Sequence, residues 1–260
     1  MDWAHGLSGL LVGLLVGLTG VGGGSLMAPI LILILGVSPT TAVGTDLWFA
    51  AITKSVGSAV HQSLGEPDWQ VVKRLAIGSI PASIVTTLIL SQVDMDPIRR
   101  GVIVNALGVL LIVTAFATLG WARIQRFVLS FDSSLVATYA RRQPVMTVAA
   151  GAVLGVLVTL TSIGAGALGA AMLIALYPLR MTAKRLVGTD IVHAVPLTVV
   201  AGLGHLWMGN VDVQLLGSLL IGSIPGIIVG SLLATQLSGG WIRPILAIVL
   251  AASGVKMLTS

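Results

Sequence analysis

Lys54 sits near the middle of Ala42–Leu64, an apolar run about as long as one crossing of a lipid bilayer. A lysine that deep cannot bring its ammonium to the interface, so it must face protein or water, and ionisable groups in that position are functional by default. Asp46, Ala50, Thr53, Lys54, Gly57 and His61 recur at helical spacing along one face. A cation on that face, held by Asp46 or another polar partner, could contact an anion; the plainer alternative is a Lys–Asp pair between helices. A second run, Leu186–Met208, repeats the face with Asp190, His193, Thr198 and His205, and threonine takes the place of Lys54. Asp46, Asp190 and His193 are the candidates for coupling or gating, although each aspartate also stands where it could cap a helix N-terminus. His61 and His205 fall near the ends of their runs, where interfacial positions and a proton-relay role are both open to them.

A second kind of chemistry needs no charged side chain. In "LTGVGGGS", Leu18–Ser25, the glycines Gly20, Gly22, Gly23 and Gly24 interrupt an apolar segment of some thirty residues, Gly6–Leu35. Glycine permits left-handed turns and close approach to the backbone. A helix starting near Ser25 would then point free amides and the positive end of its dipole at an anion. "LTSIGAG", Leu160–Gly166, interrupts a second long segment, Val145–Tyr177, so Ser162, Gly164 and Gly166 join the substrate-binding candidates with Lys54. Gly9, Gly13 and Gly17, spaced by four, are assigned to helix packing instead.

The elements that must hold these groups are membrane helices. The chain has 260 residues, of which 56% are hydrophobic and 9% charged; a soluble core of this size cannot hide so much apolar surface. Eight apolar segments follow one another, two of them long and broken by glycine. The chain lacks cysteine, so thiol chemistry is excluded. Its +5 net charge comes from residues between apolar runs, where they orient a membrane protein rather than bind nucleic acid. No cleavable leader is expected, since the first apolar run is too long and no basic stretch precedes it. No cofactor motif is present, and the Gly-x-x-x-x-Gly-Lys-Ser/Thr signature of ATP-driven pumps is missing.

The chain is also duplicated. At a shift of 144 residues, "VGTD" at Val43–Asp46 falls on Val187–Asp190, and "GSIP" at Gly78–Pro81 on Gly222–Pro225. The halves are expected at 1–120 and 145–260, joined by a polar cytoplasmic linker, 121–144. Basic residues discriminate two orientations. With Lys54 set aside, single crossings of the long segments divide the remaining lysines and arginines seven to six across the membrane; re-entrant hairpins divide them ten to three. The expected fold is therefore an all-α polytopic membrane protein, an inverted 3+3 repeat with two glycine-rich re-entrant helical hairpins. The alternative is a 4+4 parallel repeat of single crossings. Opposed hairpins meeting at a cavity near mid-membrane are a plan used by secondary transporters.

"GLTGVGGGSLMAP", the following "VGTD" and their weaker echoes in the second half resemble the TauE/SafE sulfite-exporter family over nearly the whole chain. The resemblance implies a transporter of the inner (cytoplasmic) membrane that moves sulfite, organosulfonates or related small sulfur oxyanions, with export as the expected direction. Partners are then the oxyanion, the lipid bilayer, protons as the coupling ion considered, and a second copy as a homodimer. Two rivals stand beside it. An anion channel would use the same site without alternating access. An intramembrane hydrolase would use Ser25 as nucleophile with His61 or His205 as base, but the chain lacks a Gly-x-Ser-x-Gly pattern.

Overall fold

The computed structural model describes residues 3–19, 24–60, 66–92, 96–129, 133–164, 166–177, 180–234 and 242–259. Among these residues there are ten helices and no strand: α1 Trp3–Thr19, α2 Gly24–Leu33, α3 Pro39–Val60, α4 Trp69–Gln92, α5 Asp96–Leu129, α6 Ser133–Thr161, α7 Ala167–Leu176, α8 Ala183–Trp207, α9 Val213–Ala234 and α10 Ile242–Thr259. Among the described residues five stretches are long and apolar enough to cross a membrane, 69–92, 101–120, 142–161, 184–207 and 213–233. Helix is the expected state of such runs, because every backbone polar group must be satisfied within the segment when no water is at hand. Many large apolar side chains are exposed, among them Ile77, Ile89, Phe116, Ile221, Leu232 and Ile248, while Asp46, Lys54, Asp190, His193 and a set of serines and threonines are buried. That distribution suits a lipid exterior around a polar-lined interior.

Glycine sets the tightest helix contacts. A Cβ added at Gly9, Gly13 or Gly17 of α1 would strike the backbone of Leu219, Ser223 or Ile227 of α9. The rising register on both sides means that α1 and α9 run in the same sense. The second copy makes the matching contact: Gly151 and Gly155 of α6 lie against Leu75 and Ser79 of α4. Each half thus lends its first helix to the other half. The packing expected of Gly9, Gly13 and Gly17 is what the structure has.

α3 and α8, matched by the repeat, run antiparallel. Gly44 lies beside Asn210, Trp48 Nε1 donates to the Gly202 carbonyl at 3.0 Å, and Lys54 meets Asp190. Their connections are cross-capped in the same reciprocal way. The Asp68 amide donates to Thr189 Oγ1 at 2.9 Å, and its counterpart, the Asp212 amide, donates to Thr45 Oγ1 at 3.1 Å. The Val71 and Leu215 amides donate back to Asp68 Oδ1 and Asp212 Oδ1.

One expectation changes here. Asp46 and Asp190 are not caps: each is the eighth residue of its helix, and Ser38 and Thr182 open α3 and α8 by accepting the Thr41 and Arg185 amides, both at 3.3 Å. The polar linker is helical where described, since α5 continues to Leu129 and α6 begins at Ser133.

Candidate functional site

The buried face of α3 carries the charge. Asp46, Thr53 and Lys54 are 0%, 2% and 5% exposed. Lys54 Nζ lies 3.6 Å from Asp190 Oδ2 of α8, so its acidic partner is Asp190 rather than the Asp46 of its own helix. Thr53 hydrogen-bonds back to the Phe49 carbonyl at 2.7 Å, and Thr198, the counterpart of Lys54, does the same to Ala194 at 2.9 Å. Both hydroxyls are thereby engaged within their own helices.

The second glycine-rich stretch comes to the same place. Between α6 and α7 the backbone turns through Ser162 at φ 59, Gly164 at φ 125 and Gly166 at φ 156. Thr161 Oγ1 stabilises the turn by accepting the Ile163 amide at 3.1 Å. Gly169, in the first turn of α7, leaves just enough room for Asp190: a Cβ there would come within 2.7 Å of Asp190 Oδ1. The protein's own carboxylate therefore lies beside the start of α7, where the sequence suggests room for a foreign anion. On the other side of the turn the Ser162 side chain lies against the Asp46 carboxylate, with Lys54 within electrostatic reach. Contact falls short of hydrogen-bond geometry, for both Asp46 oxygens and Ser162 Oγ are buried with no hydrogen-bond partner among the described residues.

His193 completes the cluster from α8. It is 3% exposed, its Nε2 is 2.9 Å from Ser79 Oγ of α4, and Lys54 acts on it electrostatically. Ser79 was not among the residues singled out from sequence; its place in the repeated "GSIP" is the signal that points to it. Lys54, Asp46, Ser162, Gly164, Asp190 and His193 are thus brought together from α3, the α6–α7 turn and α8. Gly24 opens α2 and Ser25 is its second residue. Gly20, Gly22, Gly23 and His61 lie outside the described residues. His205, in the last turn of α8, is 0% exposed, with Nε2 2.9 Å from the Thr159 carbonyl of α6.

A further charged cluster joins the halves at one end. Arg180 Nε is 2.6 Å and Arg185 NH2 3.3 Å from Asp68 Oδ2. Arg180 also reaches Gln70 Oε1 at 3.0 Å, and its guanidinium lies 5.9 Å from the Tyr177 ring centroid. The counterparts of Arg180 and Arg185 at the opposite connection are Gly36 and Thr41, so the arginine pair belongs to one end alone.

Comparison with known proteins gives the family. Residues 6–257 match the family model described as Sulfite exporter TauE/SafE. The chain belongs to the TauE/SafE family. It is 40% identical over 213 residues to the Probable membrane transporter protein YjnA of Bacillus subtilis (strain 168), covering 80% of this chain and 81% of that one. A shorter match, 36% over 69 residues, joins it to the Probable membrane transporter protein YunE of the same organism, over 26% and 25% of the two chains. No solved structure matches. TauE/SafE membership makes the chain a multi-pass protein of a membrane-transporter family.

Proposed function

We propose that this protein is a secondary transporter of a small sulfur oxyanion, sulfite or an organosulfonate, and that the anion binds at Lys54 between α3 and the α6–α7 turn. The observation that carries the reading is the buried Lys54–Asp190 pair bridging the matched helices of the two halves beside a left-handed, glycine-rich turn. A buried ion pair is weak evidence for stability, because desolvation offsets most of its attraction; here its carboxylate lies beside Gly169 at the start of α7, next to the glycine-rich turn. Gly20, Gly22, Gly23, Gly24 and Ser25, the candidates of the first glycine-rich stretch, are the second half of the proposed site.

The proposed architecture is the inverted 3+3 repeat with two re-entrant hairpins in the cytoplasmic membrane. Its support is directional. α1, α3 and α9 run in one sense, with Thr45 beside Asp212 and Gly57 beside Ile227 fixing α3 against α9. α4, α6 and α8 run in the other, with Asp68 beside Thr189 and Thr87 beside Gly204. For α1 and α3 to share a direction, the ten residues of α2 must return between them; α7 must do so between α6 and α8. Export is the direction carried by the family's description.

The test is counterflow in proteoliposomes holding the purified chain. Sulfite trapped inside should accelerate uptake of labelled sulfite, and the uptake should saturate. Flux that does not saturate and shows no counterflow would identify a channel.

A further inference from the structure

We propose that Asp46 is a proton-binding site, and that its proton is taken up together with the anion, so that the two cross the membrane in the same direction. This rests on the transport reading of the Lys54 site. The geometry begins with a count of charge. Two carboxylates, Asp46 and Asp190, share one buried ammonium, Lys54, and all three are at most 5% exposed. With these three groups ionised they carry −1 between them, a poor receptor for an anion. Asp190 has its compensation in Lys54 at 3.6 Å. Asp46 has none of that quality: neither oxygen has a hydrogen-bond partner among the described residues, and neither does the adjacent Ser162 hydroxyl. An ionised carboxylate so placed carries a large desolvation cost.

The other groups that face this position leave Asp46 as the site for the proton. Lys54 on α3 itself is the cation. α8 contributes Asp190, paired with Lys54, and His193, whose Nε2 is engaged by Ser79. The α6–α7 turn offers only Ser162. α2 and α9 contain no titratable residue, residues 101–120 of α5 contain none, and α1 has only His5 in its first turn. A proton on Asp46 removes one negative charge and turns an acceptor into a donor, available to Ser162 or to an oxyanion oxygen. Proton and anion then raise one another's affinity by the same factor. The plainer reading is a carboxylic acid that stays protonated throughout and only packs the turn. A sodium ion is disfavoured because Lys54 would repel it. A proton that travels with a doubly charged oxyanion leaves one negative charge to cross, so an inside-negative potential drives the pair outward.

The experiment uses the full chain in proteoliposomes with a lumenal pH dye, valinomycin and potassium to clamp the potential, and sulfite as the probe. A sulfite gradient should move protons with sulfite, and the affinity for sulfite should fall about tenfold per pH unit once Asp46 gives up its proton. Asp46→Asn, which imitates the protonated acid, should lose the pH dependence of sulfite affinity and, in the counterflow it retains, the accompanying proton movement; the same variant corrects for the buffering of sulfite itself. Sulfite counterflow with equal proton movement in wild type and Asp46→Asn would overturn the proposal while leaving the transport reading intact, and so would a dependence on sodium. Absence of sulfite counterflow in the wild type would overturn the transport reading and this proposal with it. If Asp46→Asn does not fold, Asp46→Glu decides: it keeps a titrating group and should shift the pH midpoint of transport, whereas an unchanged profile would place the proton on another group, His193 first.

Discussion

Lys54 is asked to do two things at once, hold Asp190 and meet an anion, and the two can be separated by substitution. Lys54→Met keeps length and removes charge, leaving Asp190 buried without its ammonium. Breaking a buried pair in this way is expected to destabilise the protein by about 3–5 kcal/mol. Adding Asp190→Asn should restore most of that stability by removing the stranded charge. It should not restore anion affinity, which is expected to fall about ten- to a hundredfold in both variants for loss of one charge-assisted hydrogen bond. Melting temperature and sulfite affinity, measured side by side, check this. Full recovery of affinity in the double variant would leave Lys54 a purely structural partner. Ser162 gives a residue-scale prediction of opposite sign. It holds φ 59, a left-handed conformation that a residue with a Cβ adopts at a cost of about 1–2 kcal/mol. Ser162→Gly should raise the melting temperature, whereas Ser162→Val should lower it.

At the scale of elements, the structure depends on two glycine seams, α1 with α9 and α6 with α4. Gly13→Ala would put a methyl group into the Ser223 backbone, and Gly155→Ala would do so at Ser79. Neither obstacle can move without parting two helices, so each change is expected to cost roughly 1–3 kcal/mol or more, as overpacking does. Gly217→Ala, where a Cβ meets nothing within 4 Å, is the control and should leave stability near wild type. Thermal melts in detergent report all three. These seams were legible in the sequence because spacing by four in an apolar run has one physical use, close approach of backbones. The polar face of α3 and the glycine break before α7 were legible for similar local reasons. What escaped was the start of α3 and α8. Ser38-Pro39 and Thr182 are sound N-terminal signals, but they precede the apolar runs at Ala42 and Leu186, and reading from the apolar edge moved Asp46 and Asp190 to the helix ends. The partner of Lys54 escaped for a different reason. Choosing between Asp46 and Asp190 requires the packing of α3 on α8, and one helix's periodicity carries no information about its neighbour.

At the scale of the whole molecule, the repeat and the helix directions lead to a single test. α3 and α8 are matched by the 144-residue shift yet run antiparallel, and the cross-caps Asp68–Thr189 and Asp212–Thr45 sit at their opposite ends. If both helices cross the bilayer, the axis relating the halves lies in the membrane plane. Gln70 and Gln214, one residue into the exposed starts of α4 and α9, are matched by the same shift. Single cysteines there can be labelled without interference, since the chain has none of its own. Gln70→Cys lies beside Lys73, Arg74, Arg180 and Arg185, the basic side, and the excess of lysine and arginine on cytoplasmic loops puts it inside the cell. Gln214→Cys has no basic residue near it in sequence and is expected outside. A membrane-impermeant maleimide applied to intact cells should therefore label Gln214→Cys, and should reach Gln70→Cys only after the membrane is opened. Equal labelling of the two from one side would mean that the halves lie parallel. The hairpins would then be single crossings, and α2 and α7 would have to continue through the bilayer instead of returning.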